Sequence, residues 1–170
     1  PGQYGRLEIT ICKMCGFKMQ NPRFPDDFYE TYYQHLYREV AFGSLSPSDV
    51  YISQQKARGQ NVRAWYESHF GSSGIMLDHG CASGGTMLGW LEKGWTCKGL
   101  DPHKPSVEAG IKMGLDIEIG TGESLPFDDS SFDLVLSLGS LEHSYNLKKS
   151  LAEIHRTLKP NGHLVIRWRS

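Results

Sequence analysis

The sequence predicts an α/β fold built on a parallel sheet, and three observations carry that expectation. From residue 74 onward, short apolar runs alternate with helical patterns across short loops. The first apolar run ends in a glycine-rich stretch, Asp78-His79-Gly80-Cys81-Ala82-Ser83-Gly84-Gly85, and the second ends at Asp101. The chain has 170 residues, 39% hydrophobic and 22% charged, which suits a packed core and excludes a disordered tail.

Residues 1–73 lack the strand–helix rhythm. Cys12-Lys13-Met14-Cys15-Gly16 has the spacing at which two thiolates reach one tetrahedral Zn²⁺, with the glycine allowing the turn. A closed site needs four ligands. Cys81 and Cys97 belong to the sheet, and His35 sits in a tyrosine-rich helical stretch. Three readings stand: half of a zinc ribbon whose other ligands lie outside the chain, a cysteine pair without metal, and a redox pair. The last lacks the surrounding βαβ unit. Asp26 or Asp27 can cap a helix from Phe28 to about Tyr37. Ile52 to His69 reads as another helix, with Ala57, Ala64 and Trp65 toward the core. Gly71-Ser72-Ser73-Gly74 marks the boundary.

The second region follows in order. Ile75 to Asp78 reads as a buried strand. Thr86 to Lys93 is a helix with Leu88 and Leu91 on one face, stopped by Gly94. Thr96 to Leu100 is the second strand. Pro105 to Met113 is a helix with proline in its first turn and Gly114 beyond its end. Asp116 to Ile119 and Phe132 to Ser137 are strands three and four. Asn146 caps a helix whose Leu147, Leu151, Ile154 and Leu158 share a face. Pro160-Asn161-Gly162 makes a turn before a fifth strand from His163 to Trp168.

Charge and composition narrow the function classes. Lys and Arg number 18 against 19 Asp and Glu, a net charge of -1. No large electrostatic footprint for nucleic acid is present, and no nucleic-acid partner is expected. No run approaches the roughly 20 apolar residues of a membrane span, and Pro1 to Thr10 lacks a signal-peptide pattern. Four scattered cysteines make no disulfide framework, so a cytoplasmic setting is expected. Oligomeric state is not legible.

In a parallel sheet, ligands bind beyond the carboxyl ends of the strands. The glycine-rich turn lets a ligand approach the backbone and faces it with the free N–H groups of a helix start. A carboxylate at Asp101 can accept from both ribose hydroxyls. Together these features point to a nucleoside cofactor. NAD would want Gly-x-Gly-x-x-Gly, and Gly80-Cys81-Ala82-Ser83-Gly84-Gly85 lacks that spacing.

The stretch Leu77 to Gly84 resembles the first motif of class I S-adenosylmethionine-dependent methyltransferases. Gly120 to Phe127 followed by Ser131 to Val135, Ser140 to His143, and Leu158 to Leu164 resemble further motifs of that family, in its order and spacing. The likeness covers residues 75–168 and is greatest for the type 11/23 group. It implies a Rossmann-like doubly wound sheet. Residues 1–25 would be a zinc-ribbon-like hairpin fragment, 26–73 a helical cap and 74–170 the cofactor-binding domain. The family's sheet has seven strands, so the resemblance implies a domain cut after strand five, with an earlier cysteine pair before Pro1.

The resemblance also implies site residues. Asp78, Gly80, Cys81, Ala82 and Gly84 would line the methionine part of S-adenosylmethionine or S-adenosylhomocysteine. Asp101 and Pro102 would hold the ribose side, and Thr121, Gly122 and Glu123 the adenine. Ser137 and Leu138 would border the sulfonium. His143 is the candidate base and Glu142 a candidate contact to acceptor hydroxyls. No acid stands at Gly139-Ser140, where related metal-dependent enzymes carry one. Cys12 and Cys15 would be the zinc ligands, if zinc is bound. Ala82 replaces a glycine common in the family, and Thr121 replaces an acid. Tyr32, Tyr33, Tyr37 and Arg58 are hypothetical lining residues for a small-molecule acceptor such as a sugar or other metabolite. His79 reads as structural. The runner-up functions are a cofactor-binding or zinc-ribbon module without catalysis and, further behind, an NAD-dependent oxidoreductase.

Overall fold

The computed structural model describes residues 8–43 and 47–168; expectations touching residues 1–7, 44–46 and 169–170 lie outside the described residues. The chain opens with a two-stranded antiparallel hairpin, β1 (Ile9–Ile11) and β2 (Lys18–Gln20). One continuous helical segment follows: α1 (Asp26–Thr31), a π-helical turn (Tyr32–Leu36) and α2 (Tyr37–Phe42), stopped by Gly43 at φ +67°. The long helix α3 (Asp49–Glu67) starts at Ser48, whose hydroxyl accepts from the Tyr51 N–H at 3.2 Å.

The α/β region alternates β3 (Ile75–His79), α4 (Gly85–Leu91), β4 (Thr96–Asp101), α5 (Lys104–Lys112), β5 (Ile117–Ile119), β6 (Phe132–Leu138), α6 (Leu147–Thr157) and β7 (Leu158–Arg167). The five strands from β3 to β7 pair in parallel in the order β5-β4-β3-β6-β7. Strand order reverses beside β3, and a crevice opens there at the carboxyl ends. Side chains alternate between faces as strand geometry demands. Met76, Leu134 and Leu136 join the cluster with Met87, Trp90 and Val107 on one face. Leu77, Val135 and Leu100 join the cluster with Phe132 and Ile154 on the other. The sheet is therefore wound on both faces, as expected.

Three sequence expectations are corrected. Ala57, Ala64 and Trp65 of α3 are exposed, and the face turned inward carries Gly59 and Tyr66. The reason is a close crossing on α4. A Cβ on Gly59 would lie 2.1 Å from the Thr86 carbonyl oxygen, and one on Gly89 would lie 2.5 Å from the Gln60 nitrogen. Backbone contact, rather than alanine burial, sets the rotation of α3. On α6, Ile154 is buried, whereas Leu147 and Leu151 are exposed. The Pro160-Asn161-Gly162 turn does not precede β7 but lies inside it. Leu158 pairs with Phe132 and His163 with Leu134, so Lys159 to Gly162 bulge out, with Asn161 at φ +65°.

Candidate functional site

A cavity of about 550 Å³ opens at the carboxyl ends of β3, β4 and β6, roofed by α1 to α3. Its floor is built by the turn after β3. Gly80 and Cys81 donate their N–H groups to the Leu100 carbonyl at 2.8 and 3.1 Å. Gly80 stands at φ +78°, and a Cβ there would lie 2.2 Å from the Ser140 Cβ, so only glycine fits. Ala82 takes the left-handed conformation at φ +53°, which costs a residue with a side chain about 1–2 kcal/mol. Asp101 offsets that cost: its Oδ2 accepts from the Ala82 N–H at 2.7 Å, while Oδ1 accepts from the His103 N–H at 2.9 Å. The backbone turn thus survives the exchange of glycine for Ala82.

Asp78 is buried at the end of β3 and lines the cavity. Burial pushes its carboxyl up to about 7; the Asp101 charge adds to the rise and Arg58 opposes it. Its Oδ2 has no hydrogen-bond partner among the described residues. His79 is buried, and it lines the cavity beside Asp78. Its Nδ1 lies 3.1 Å from the Ser140 hydroxyl, and Nε2 sits against Gly122, where a Cβ would come within 2.1 Å. Burial lowers the His79 pKa and favours the neutral imidazole. Ser140 also donates to the His79 carbonyl at 2.5 Å and contacts the Ser137 hydroxyl at 2.7 Å, tying the loop after β6 to β3.

Most of the expected cofactor residues meet here. Asp78, Gly80, Cys81, Ala82, Asp101 and Pro102 line one side, and Thr121, Gly122, Glu123 and Leu138 another. Two expected residues stand behind the wall. Gly84 starts α4 at φ +75° and packs on Leu115 and Ile117. Ser137 is buried and accepts from the Leu141 N–H at 3.2 Å. Of the candidate pair, His143 lines the cavity and Glu142 is not among its lining residues; both Glu142 carboxylate oxygens are buried with no hydrogen-bond partner among the described residues. Tyr33, Tyr37 and Arg58 line the cavity and Tyr32 does not.

Sequence reasoning missed Tyr51, Gln55, His103, Tyr145 and Lys149, which also line it. A signal existed for two of them. Tyr51, Gln55 and Arg58 fall at helical spacing on one stripe of α3. His103 caps α5, its Nδ1 accepting from the Ser106 N–H at 3.3 Å.

Cys12 and Cys15 lie away from the cavity, in the β1–β2 turn. Gly16 at φ +74° closes that turn, its N–H donating to the Cys12 carbonyl at 2.8 Å. Backbone hydrogen bonds from Cys15 and Met14 lower the Cys12 thiol pKa. The pair would supply only two of the four ligands that a closed zinc site needs. No group of three or more His, Cys, Asp or Glu able to hold a metal occurs among the described residues. The described donor set does not fit a zinc centre. No helix among the described residues is long and apolar enough to cross a membrane.

Comparison with known proteins matches residues 77–166 to a family described as a methyltransferase domain. Norajmaline N-methyltransferase of Rauvolfia serpentina is 34% identical over 100 residues, which cover 54% of this chain and 34% of the relative. A sterol 4-C-methyltransferase of Caenorhabditis elegans is 34% identical over 98 residues, 53% of this chain and 29% of the relative. The chain spans about a third of the length of these curated relatives. Among solved structures, the YcgJ protein of Bacillus subtilis superposes with a TM-score of 0.57 at 25% identity, over 65% of this chain and 50% of that one.

Proposed function

This chain belongs to the methyltransferase-domain family, and on that premise we propose that it moves the methyl group of S-adenosylmethionine to a small-molecule acceptor. One observation carries the reading: a single cavity joins the Gly80–Ala82 turn and Asp101 on its sheet side to tyrosines and His143 on its cap side. The first set suits the cofactor and the second an acceptor.

The residues present fit the cofactor. Gly80 leaves the floor free of a side chain, and the Asp101 carboxylate, already held by two backbone N–H groups, keeps lone pairs for ribose hydroxyls. Arg58 lines the same cavity, where a guanidinium suits the cofactor's carboxylate. Asp78, with its unpartnered oxygen, suits the cofactor's ammonium group. Gly122 and Glu123 offer an adenine slot beside them. When bound, the cofactor supplies an already activated methyl group on a sulfonium. The chain's own task is then alignment, exclusion of water and removal of the acceptor's proton. The cap helices roof the cavity, and His143 stands on the acceptor side to receive that proton. A wall of tyrosine faces suits a sugar or another ring-bearing metabolite.

Calorimetry tests the reading. S-adenosylhomocysteine should bind and NAD should not. Asp101→Ala should weaken binding by about 1.5–3 kcal/mol, roughly tenfold to a hundredfold. Binding of NAD in preference, or an unchanged affinity in Asp101→Ala, would sink the assignment. Tight S-adenosylhomocysteine binding without methyl transfer to any acceptor by the intact protein would favour a binding module.

A further inference from the structure

Above the cavity, a polar contact joins the cap to the sheet domain. The Tyr33 hydroxyl, on the π-helical turn Tyr32–Leu36, lies 2.9 Å from Nδ1 of His143, on the 3-10 turn Leu141–His143 after β6. The two rings are 5.4 Å apart between centroids, and the Tyr37 ring packs 6.1 Å from the His143 ring. Both Tyr33 and His143 line the cavity that holds Asp78 and Asp101. Among the described residues, Nδ1 is the only hydrogen-bond partner of the Tyr33 hydroxyl. A half-buried phenol needs an acceptor for its proton, and an imidazole lone pair is a better acceptor than a phenol oxygen. The O–H therefore donates to Nδ1, and neutral His143 carries its own proton on Nε2. Burial first, and then Tyr32, Tyr37, Tyr29 and the Glu142 charge, push the Tyr33 phenol up to about 12, so it keeps its proton at neutral pH.

We infer that Tyr33 and His143 act as one acid–base unit, in which the acceptor's proton is taken up at the Tyr33 oxygen while the phenol's own proton passes to Nδ1 of His143. The inference rests on the methyltransferase reading and makes Tyr33 the group that touches the acceptor. The step balances. The acceptor heteroatom gives its lone pair to the methyl carbon, and the carbon–sulfur bond breaks with its electron pair left on sulfur. The acceptor's proton replaces the one the phenol gives up, and His143 ends as imidazolium. No free phenolate forms, because the two proton transfers are coupled. Glu142 is next to His143 in the chain, and its carboxylate is among the groups that raise the Tyr33 phenol.

Two measurements on the full chain test this. Histidine ¹⁵N spectra of wild type, with His143 assigned through His143→Gln, should show Nδ1 as an acceptor and Nε2 protonated. Tyr33→Phe should convert that signature to a mixture of tautomers while S-adenosylhomocysteine affinity stays within twofold. A protonated Nδ1 in neutral wild type, or an unchanged signature in Tyr33→Phe, overturns the inference whatever else is found. For turnover, labelled S-adenosylmethionine is offered with a panel of phenols, alcohols and amines, and the first acceptor that wild type methylates is carried forward. Tyr33→Phe and His143→Gln should each lower kcat about a hundredfold with KM little changed, and the double variant should be no worse than either alone. A Tyr33→Phe enzyme with wild-type kcat overturns the relay and leaves only a staple between cap and loop. Failure of wild type to bind S-adenosylhomocysteine would mark failure of the methyltransferase reading instead.

Discussion

Asp78 sits where β3 delivers it, with its backbone in register with Gly99 on one side and Leu136 on the other. Its carboxyl titrates near 7 in the folded chain against an ordinary 3.8. The folded state therefore holds a proton that the unfolded state has released over that interval. Stability should fall as pH rises from about 4 to about 7, by about 1.4 kcal/mol for each pH unit, and level off above. Asp78→Asn removes this dependence. Thermal melts from pH 5 to 8 should show the variant gaining on wild type up to pH 7 and then running parallel to it; a constant gap would refute the burial effect. At this scale the motif residues were readable because chemistry and spacing name them: Asp78, Gly80 and Asp101 stand around one cavity. Gly84 and Ser137 also carry the motif but serve the turn and the loop: Gly84 takes φ +75° at the start of α4, and the Ser137 hydroxyl accepts from the Leu141 N–H. The Ser140 bridge beneath Gly80 had no sequence signal, since it joins residues far apart in the chain.

Elements were legible to the extent that their own pattern defines them. Each strand from β3 to β6 follows an apolar run bounded by glycine or aspartate, and Asn146 caps α6, its Oδ1 accepting from the Lys149 N–H at 3.0 Å. What remained hidden was how elements meet. The Gly59–Gly89 crossing, which rotates α3, depends on absent side chains. The clasp between the hairpin and the site depends on one arginine. Arg23 follows β2 and donates to the Ser144 carbonyl at 3.3 Å and the Tyr145 carbonyl at 2.5 Å. Its guanidinium lies 5.4 Å from the centre of the Tyr29 ring and 4.7 Å from that of Tyr145. This clasp holds the loop that carries His143. Arg23→Ala should release it at a cost of about 1–2 kcal/mol. Hydrogen exchange should speed up at residues 143–146 with little change in β3 or β4. Lysine should restore little, because it cannot both stack between rings and fork to two carbonyls. Unchanged exchange in Arg23→Ala would show that the loop holds its place without the clasp.

At the scale of the whole molecule, the cavity is a place where the cap and the sheet domain answer to the same ligand. Tyr37 comes from α2, Tyr51 and Arg58 from α3, and Asp78 and Asp101 from the sheet. A ligand that touches all of these stabilises both parts together. At a hundred times its dissociation constant, S-adenosylhomocysteine should add about 2.7 kcal/mol, a rise of roughly 5–10 °C in Tm for a chain of this size. If the cap takes part in binding, the rise should come in a single transition, and proteolytic cleavage between residues 26 and 43 should slow with the same ligand dependence. A higher Tm with unchanged cleavage in the cap would mean that the strand ends hold the cofactor by themselves. In that case residues 26–43 would serve the acceptor alone, as the tyrosine wall already suggests.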